Sequence, residues 1–250
     1  MTGGRYVHNV LAIARRELKG YFTTPIAYVF LAIFVALAGV FTFYVGQFFD
    51  RGVADLEPFF QYHLWLYLLL VPAIAMRLWA EDWRSGTIEL LMTLPVSTAE
   101  AVIGKWLAGW AFLGLALLGT LPIWITVNIL GEPDNRVIAA GYLGSFLIAG
   151  GFLAIGAAMS AASRNQVIGF VLGALVCFLF VMSGTNLVLG SLQGWAPEVL
   201  TAAVASLSAL THFSNMTRGL IGAADLIYVA SLIVFWLFVN AVIIELGRAE

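Results

Sequence analysis

The sequence predicts an all-α polytopic membrane protein with six transmembrane helices. Of its 250 residues, 62% are hydrophobic and only 10% are charged, whereas about a quarter of the residues in a typical soluble domain are charged. A helix needs about 20 apolar residues to cross the hydrocarbon of a bilayer. Charge-free runs of about this length occupy residues 20–49, 58–76, 106–131, 137–163, 165–197 and 226–244.

The segment before the first run, residues 5–22, has the pattern of an amphipathic helix. Apolar side chains recur on one side at helical spacing, and basic side chains occupy the other side. This pattern predicts an interfacial elbow helix whose Arg15, Arg16 and Lys19 face anionic lipid headgroups. The alternative is an ordinary basic flank of span 1, which is predicted to begin at Pro25.

Span 2 is predicted to begin at Pro58 and to continue past the membrane into a short polar stretch, residues 81–97, EDWRSGTIELLMTLPVS. Glu81 and Arg84 have the i,i+3 spacing that lets them pair on one side of a helix. Gly86, between Ser and Thr, is expected to break that helix. The stretch therefore protrudes between two spans.

A second short helix, residues 88–94, is predicted to follow within this stretch. Thr87 can cap its start, and it must end before Pro95, because the residue before a proline disfavours helical geometry. One side of it carries three apolar residues, Ile88, Leu91 and Leu94. Such a side favours docking in a groove of a partner protein. The alternative is a helix that lies flat on the bilayer surface.

Spans 3, 4 and 5 follow from local signals. Ser97 and Glu100 match the capping box, so span 3 is predicted to begin there, and Pro122 predicts a kink within it. Gly169 and Gly173 in span 5 have the GxxxG spacing that lets two helices approach closely. They are candidates for a subunit interface, and packing within the chain is the alternative. The predicted bounds of these spans are about 97–128, 137–162 and 167–189.

A long segment, residues 190–224, precedes span 6 and is predicted to be extracytoplasmic. Its charge-free part, residues 199–217, contains Ser, Thr, His and Asn side chains that would be costly in lipid. We expect a partly helical surface or re-entrant segment there.

The distribution of basic side chains predicts the orientation. With both termini in the cytoplasm, only Arg51, Arg136 and Arg218 of the 12 basic residues lie outside, as the positive-inside rule requires. The 81–97 stretch is then cytoplasmic.

The sequence lacks the motifs of a catalytic site. Gly104 and Lys105 resemble part of a phosphate-binding loop, but the required first glycine is absent, and no zinc-protease or nucleophile-turn motif occurs. Ser183 and His212 could suggest an intramembrane serine enzyme, but the flanking glycine pattern is incomplete and His212 lies outside the spans. His63 is expected to be a hydrogen-bonded or interfacial histidine and not a metal ligand. Because the span cores also lack the acidic and basic residues of ion-coupled transporters, energy is expected to enter through a cytoplasmic partner.

Residues 81–106, EDWRSGTIELLMTLPVSTAEAVIGKW, resemble the cytoplasmic signature of the type-2 ABC exporter permeases. Two further stretches, RRELKGYFTTPIAYV at 15–29 and LSALTHFSNMTRGLIGAADLIYV at 207–229, are similar to the gliding-motility-type branch of that superfamily. The resemblance covers essentially the whole chain. It implies a six-span permease with an elbow helix, a cytoplasmic coupling helix and short re-entrant helices before span 6.

The resemblance also implies a function and partners. The chain would be the non-catalytic membrane subunit of an ABC export system in the bacterial inner membrane, without a cofactor of its own. A cytoplasmic ATPase dimer would bind ATP and Mg, and a second membrane domain, a copy of this chain or an auxiliary subunit with a large extracytoplasmic domain, would complete the complex. No nucleic acid is expected. The alternative is a structural or mechanotransmitting anchor of an ATPase-driven envelope complex that moves no substrate.

The resemblance assigns ATPase coupling to nine positions. They are Glu81, Arg84, Gly86, Thr87, Ile88, Glu89, Leu91, Leu94 and Pro95. It assigns no role to Asp82 or Trp83. His212, Phe213 and Arg218 match an outer loop of the family, where they could shape an outer gate or bind the auxiliary subunit.

Overall fold

The computed structural model describes residues 2–88, 96–192 and 195–247 of the chain, and the regular structure in these residues is entirely helical. The helices are α1 (Thr2–Phe22), α2 (Pro25–Val40), α3 (Glu57–Ala75), α4 (Arg77–Ser85), α5 (Thr98–Leu118), α6 (Leu121–Leu130), α7 (Asn135–Ala161), α8 (Gln166–Met182), α9 (Asn186–Leu192), α10 (Glu198–Ser206), α11 (Ala209–Thr217) and α12 (Ala223–Gly247). A π-helical turn, Phe41–Val45, extends α2.

Five helical segments of the described chain are long and apolar enough to cross a membrane. They are Pro25–Arg51, Glu57–Ser85, Thr98–Leu130, Asn135–Ala161 and Ala223–Gly247. A sixth span is formed if α8 and α9, which are bent by 68° at the break between them, cross the membrane together. The prediction of an all-helical protein with several membrane spans is confirmed, and the sixth span depends on this bent pair.

Spans that follow one another along the chain run in opposite directions, so every second span is parallel. In the parallel pair α3 and α7, Gly141 lies against Phe60 and Gly156 against Ala75. α5 runs the opposite way to α7, since the Trp106 indole donates to the carbonyl of Gly150 at 2.9 Å while Thr120 near its end lies 3.0 Å from the hydroxyl of Tyr142. Ile13 of α1 lies against Gly104 near the start of α5, and Gly247 at the end of α12 lies against Trp83 of α4. α1, α4 and the end of α12 therefore lie at one end of the bundle, here named the α4 end.

α7 is the central helix of the bundle. It packs against α3, α5, α8, α11 and α12, and most of its residues between 148 and 161 are buried. Its small residues make this possible, because a methyl group at Gly156 would overlap Ala75 of α3. Close approach of helix backbones through small residues is the usual packing mode of membrane helices.

Gly169 and Gly173 of α8 pack within the chain. Cβ atoms built at these positions would lie 3.3 Å from the Cα atoms of Ser160 and Gly156 of α7, respectively. The prediction that these glycines form a subunit interface is therefore wrong, because their open side is already filled by α7 of the same chain. Span 5 is also shorter than predicted as a straight helix, since α8 ends at Met182 before the bend.

Span 3 breaks where a kink was predicted. α5 ends at Leu118 and α6 begins at Leu121 with Pro122 in its first turn. The break leaves the hydroxyl of Thr120 to bond the carbonyl of Leu117 at 2.6 Å. The proline therefore starts a new helix, a position that suits its missing amide hydrogen.

α1 has three distinct sides. Val10 and Ile13 are buried, and Ile13 lies against Gly104 of α5. Val7 and Leu11 are 56% and 58% exposed, and the basic Arg15, Arg16 and Lys19 are exposed on a third side. The predicted amphipathic helix is present, and its position in the membrane interface stays a prediction.

Candidate functional site at the α4 end

α4 carries the start of the 81–97 stretch away from α3. Its last turn ends at Gly86, which has a left-handed backbone with φ of 72°. Only glycine adopts this conformation at little cost, so the predicted break after Ser85 has a direct local cause. The structure describes residues 81–88 and 96–97 of the stretch. Predicted coupling residues Glu89, Leu91, Leu94 and Pro95 lie outside the described residues.

Glu81 pairs with Arg77, one turn back along α4. The Arg77 Nη2 lies 3.0 Å from the Glu81 Oε2, in the i,i+4 arrangement that places both side chains on one helix face. The predicted pair of Glu81 with Arg84 is therefore wrong. Arg84 is exposed, as are Gly86 and Thr87.

Lys105 is the centre of an ion network that the sequence analysis missed. Lys105 is only 3% exposed. Its Nζ lies 2.7 Å from the Asp82 Oδ2 and 3.4 Å from the Glu17 Oε1. The same ammonium lies 5.1 Å from the ring centroid of Trp79, within the range of a cation–π contact. One buried cation thus joins α1, α4 and α5. The signal in the sequence was a lysine in the first turns of an apolar helix, since a buried lysine needs a partner.

Asp82 links this network to the residues after the helix break. The Thr87 hydroxyl donates to the Asp82 Oδ1 at 2.7 Å, and it also lies 2.9 Å from the Ser85 hydroxyl. Thr87 was predicted to cap the next helix, and its hydroxyl instead turns back to Asp82. This carboxylate, to which no role was assigned, holds Lys105 and Thr87 together.

Ile88 faces the interior of this chain. It is 5% exposed and belongs to the hydrophobic core. The prediction that Ile88 contributes to a side offered to a partner is wrong, because the chain itself covers it.

Ser160 fastens the beginning of α4 to the end of α7. Its hydroxyl donates to the carbonyl of Met76 at 2.8 Å and accepts from the backbone amides of Trp79 and Ala80 at 3.2 and 3.1 Å. These groups lie at the junction of α3 and α4, where the helix hydrogen-bond ladder is interrupted. The serine supplies partners for backbone groups that burial would otherwise leave unpaired.

The far end of the stretch is also tied to α1. The predicted capping box is confirmed: the Ser97 amide donates to the Glu100 Oε2 at 2.6 Å, and the Glu100 amide donates to the Ser97 Oγ at 3.2 Å. Glu100 additionally accepts from the Asn9 side chain at 3.1 Å. α1 therefore contacts the 81–97 region at both ends, through Glu17 by way of Lys105 and through Asn9.

At the opposite end of the bundle, His212 holds α11 to α12. Its Nδ1 lies 2.6 Å from the Asp225 Oδ1, its Nε2 lies 3.2 Å from the carbonyl oxygen of Ser206, and its ring stacks on Tyr228 at 4.1 Å. Asp225 also accepts from the amide of Gly222 at 3.1 Å. The sequence analysis suggested a gate or an auxiliary-subunit contact for His212, which stays a prediction, and it missed the partner Asp225 because that residue lies in the next helix.

The structure brings no catalytic or metal-binding group together in its described residues. Ser183 donates to the carbonyl of Phe180 at 3.1 Å, while His212 is engaged with Asp225, so these two do not form a dyad. His63 is fully buried among the rings of Phe34, Phe59 and Tyr67. In the described part of the chain, no cluster of three or more His, Cys, Asp or Glu side chains could hold a metal ion.

The described features, apolar spans of alternating direction and a polar connection tied to three helices, define a multi-pass integral membrane protein. Residues 55–234 match the family model described as ABC-2 family transporter protein. The chain belongs to this family and is a multi-pass, ABC-2-type permease. It is similar to "Heme exporter protein B" of Rhodobacter capsulatus, with 30% identity over 166 residues, which cover 59% of this chain and 69% of that protein.

Proposed function

We propose that the chain is the non-catalytic permease subunit of an ABC exporter, in which a separate cytoplasmic ATPase drives movement of a substrate across the bacterial inner membrane. The 81–97 stretch is the ATPase-coupling element. The observation that carries this proposal is the Lys105 network, because it connects the start of the stretch to α1 and α5 through charged contacts.

Through this network, a movement of the 81–97 stretch can be transmitted to the membrane helices. A displacement at Thr87 acts on Asp82 through a 2.7 Å hydrogen bond, and Asp82 acts on Lys105 of α5 through an ion pair. Ser160 passes the movement of α4 to α7, the central helix. Since packed helices shift as rigid bodies, a push on this one stretch moves several spans together.

The remaining parts of the assembly are also proposals. The α4 end is cytoplasmic, α1 lies in the membrane interface with Arg15, Arg16 and Lys19 at the headgroups, and an ATPase dimer binds ATP and Mg. A second membrane domain pairs with this chain, and an auxiliary protein with an extracytoplasmic domain belongs to the complex if the chain is of the gliding-motility-type branch. The name of the Rhodobacter relative makes heme a further candidate cargo.

The test compares Glu89→Lys with Glu132→Lys, a matched charge reversal at an exposed residue of the opposite end. Both are tagged and co-purified with their ATPase in lipid nanodiscs. Glu89→Lys is expected to lower ATPase co-purification and the ATPase rate at least tenfold, because a reversed charge in a docked interface is strongly unfavourable. Glu132→Lys should match the unmodified protein.

Normal association and ATPase rate in Glu89→Lys would contradict the proposal. Membrane insertion is measured in parallel by carbonate extraction, so that a failure to insert is not counted as a loss of coupling.

A further inference from the structure

A cavity of about 520 Å³ lies between α3, α7 and α11 at the end of the bundle opposite α4. Its floor is apolar and formed by side chains that are at most 4% exposed, among them Phe60, Leu64, Ile138 and Phe213. Its rim is polar and includes Gln61, Ser214 and Arg218. This volume is in the range of small-molecule sites, about 300–1,000 Å³.

The carboxylates at the rim already have partners. Arg51 lies 2.6 Å from the Glu57 Oε2 and 3.4 Å from the Asp55 Oδ2. Asp134 accepts from the amides of Arg136 and Val137 at 2.9 and 3.4 Å, where it caps the positive end of α7. These groups therefore do not call for a cationic ligand.

Arg218 is a charged side chain of the rim that, unlike these carboxylates, has no bonding partner in the described part of the chain. It is exposed at the C-terminal end of α11, and it makes no ion pair within the described part of the chain. Gln61 and Ser214, on the facing walls, make no side-chain hydrogen bond there either, so both can donate to a ligand. A guanidinium with two neutral donors suits a carboxylate or a phosphate.

The cavity walls are fixed without a ligand. α11 is held to α12 by the pair of His212 with Asp225 at 2.6 Å, and Met216 of α11 lies against Gly144 of α7. The opposite wall, α3, contacts α7 where Phe60 lies against Gly141. A preformed site loses little conformational entropy on binding, which favours affinity.

We propose that this cavity binds an anionic amphiphile. Its carboxylate or phosphate pairs with Arg218 and accepts from Gln61 and Ser214, and its alkyl or ring portion covers Phe60 and Phe213. The site is independent of the coupling stretch and of the ATPase. Its occupant is either a bilayer phospholipid or a separate single-chain amphiphile, since both present the same chemistry.

The test uses dodecanoate that carries a photoreactive diazirine, bound to the purified full-length chain in maltoside detergent. Crosslinked peptides are identified by mass spectrometry, and competition is measured with unlabelled dodecanoate and with dodecanol as a neutral analogue. Crosslinks are expected in α3 and α11. Arg218→Gln should raise the half-competition concentration of dodecanoate about tenfold, the scale of one lost charge-assisted hydrogen bond, and leave that of dodecanol unchanged.

Arg136→Gln is the matched control, an exposed arginine of the same end that does not line the cavity, and it should behave like the unmodified chain. Gln61→Trp narrows the mouth and should reduce crosslinking by either probe. Competition by phosphatidylglycerol vesicles identifies a bilayer lipid as the occupant, and competition by dodecanoate alone identifies a single-chain ligand. Crosslinks confined to other helices, or an Arg218→Gln variant with unchanged dodecanoate competition, would overturn the proposal.

Discussion

Lys105 is a cation in a position where burial disfavours charge. Its side chain is 4% exposed, while Glu17 and Asp82 beside it are each 23% exposed. Removing an ammonium from water costs several kcal/mol unless opposite charges and hydrogen bonds replace the water. Two carboxylates and the Trp79 ring supply that replacement, so α1 and α4, which carry these groups, and α5, which carries Lys105, depend on one another.

We expect Lys105→Met to destabilise the protein by about 3 kcal/mol, because the change leaves the Asp82 carboxylate without its cation and Glu17 with only the exposed Arg16 as a partner. Unfolding by SDS titration in mixed micelles measures this loss. The combined variant Glu17→Gln, Asp82→Asn, Lys105→Met should regain most of the stability, since the one charge left without its partner, Arg16, has a side chain that is 58% exposed and stays hydrated. Equal stability of Lys105→Met and the unmodified chain would show that the network contributes nothing to the fold.

At the residue scale, the contacts that could be predicted are those between residues close together in the sequence. The capping box of Ser97 with Glu100 and the break at Gly86 involve neighbours within a few positions, and both were predicted. The bond from Asn9 to Glu100 joins residues 91 positions apart, and no local pattern indicates it. The predicted pair of Glu81 and Arg84 failed because Arg77, one turn earlier, offers the same carboxylate an i,i+4 partner.

The helices of the bundle are held by small residues at their crossings. Gly156 of α7 faces Ala75 of α3 on one side, and a Cβ at Gly173 of α8 would lie 3.3 Å from its Cα on the other. These positions have room for a hydrogen atom and little more. The GxxxG spacing in α8 correctly indicated a close helix approach, but it does not specify which helix approaches.

Gly156→Val is expected to prevent stable packing of α3, α7 and α8, because its methyl groups would overlap both neighbours and overpacking costs about 1–3 kcal/mol or more. Gly39→Ala in α2 is the matched control, since a Cβ there meets nothing within 4 Å and alanine favours a helix. Thermal stability by size-exclusion chromatography compares the two. A Gly156→Val variant as stable as Gly39→Ala would contradict the packing described.

In the whole molecule, α1 and the C-terminal end of α12 both lie at the α4 end, which requires an even number of crossings between them. Five segments qualify as spans by themselves, and the sixth crossing requires that the bent pair of α8 and α9 cross the membrane together. The six charge-free runs of the sequence predicted an even number of crossings, and the distribution of basic residues predicted only the orientation. Neither could predict the 68° bend, since the break between α8 and α9 lies inside one charge-free run, residues 165–197.

Cysteine labelling tests the number of crossings. The single cysteine, Cys177, is buried and gives a low background for a membrane-impermeant maleimide. With six spans, Lys19→Cys and Leu246→Cys should react only after the cells are permeabilised, and Thr201→Cys, in α10, should react in intact cells. If α8 and α9 do not cross together, five spans put the ends of α1 and α12 on opposite sides, and Lys19→Cys and Leu246→Cys would differ in their labelling. That difference would reject the six-span topology and with it the placement of both termini on the side of the 81–97 stretch.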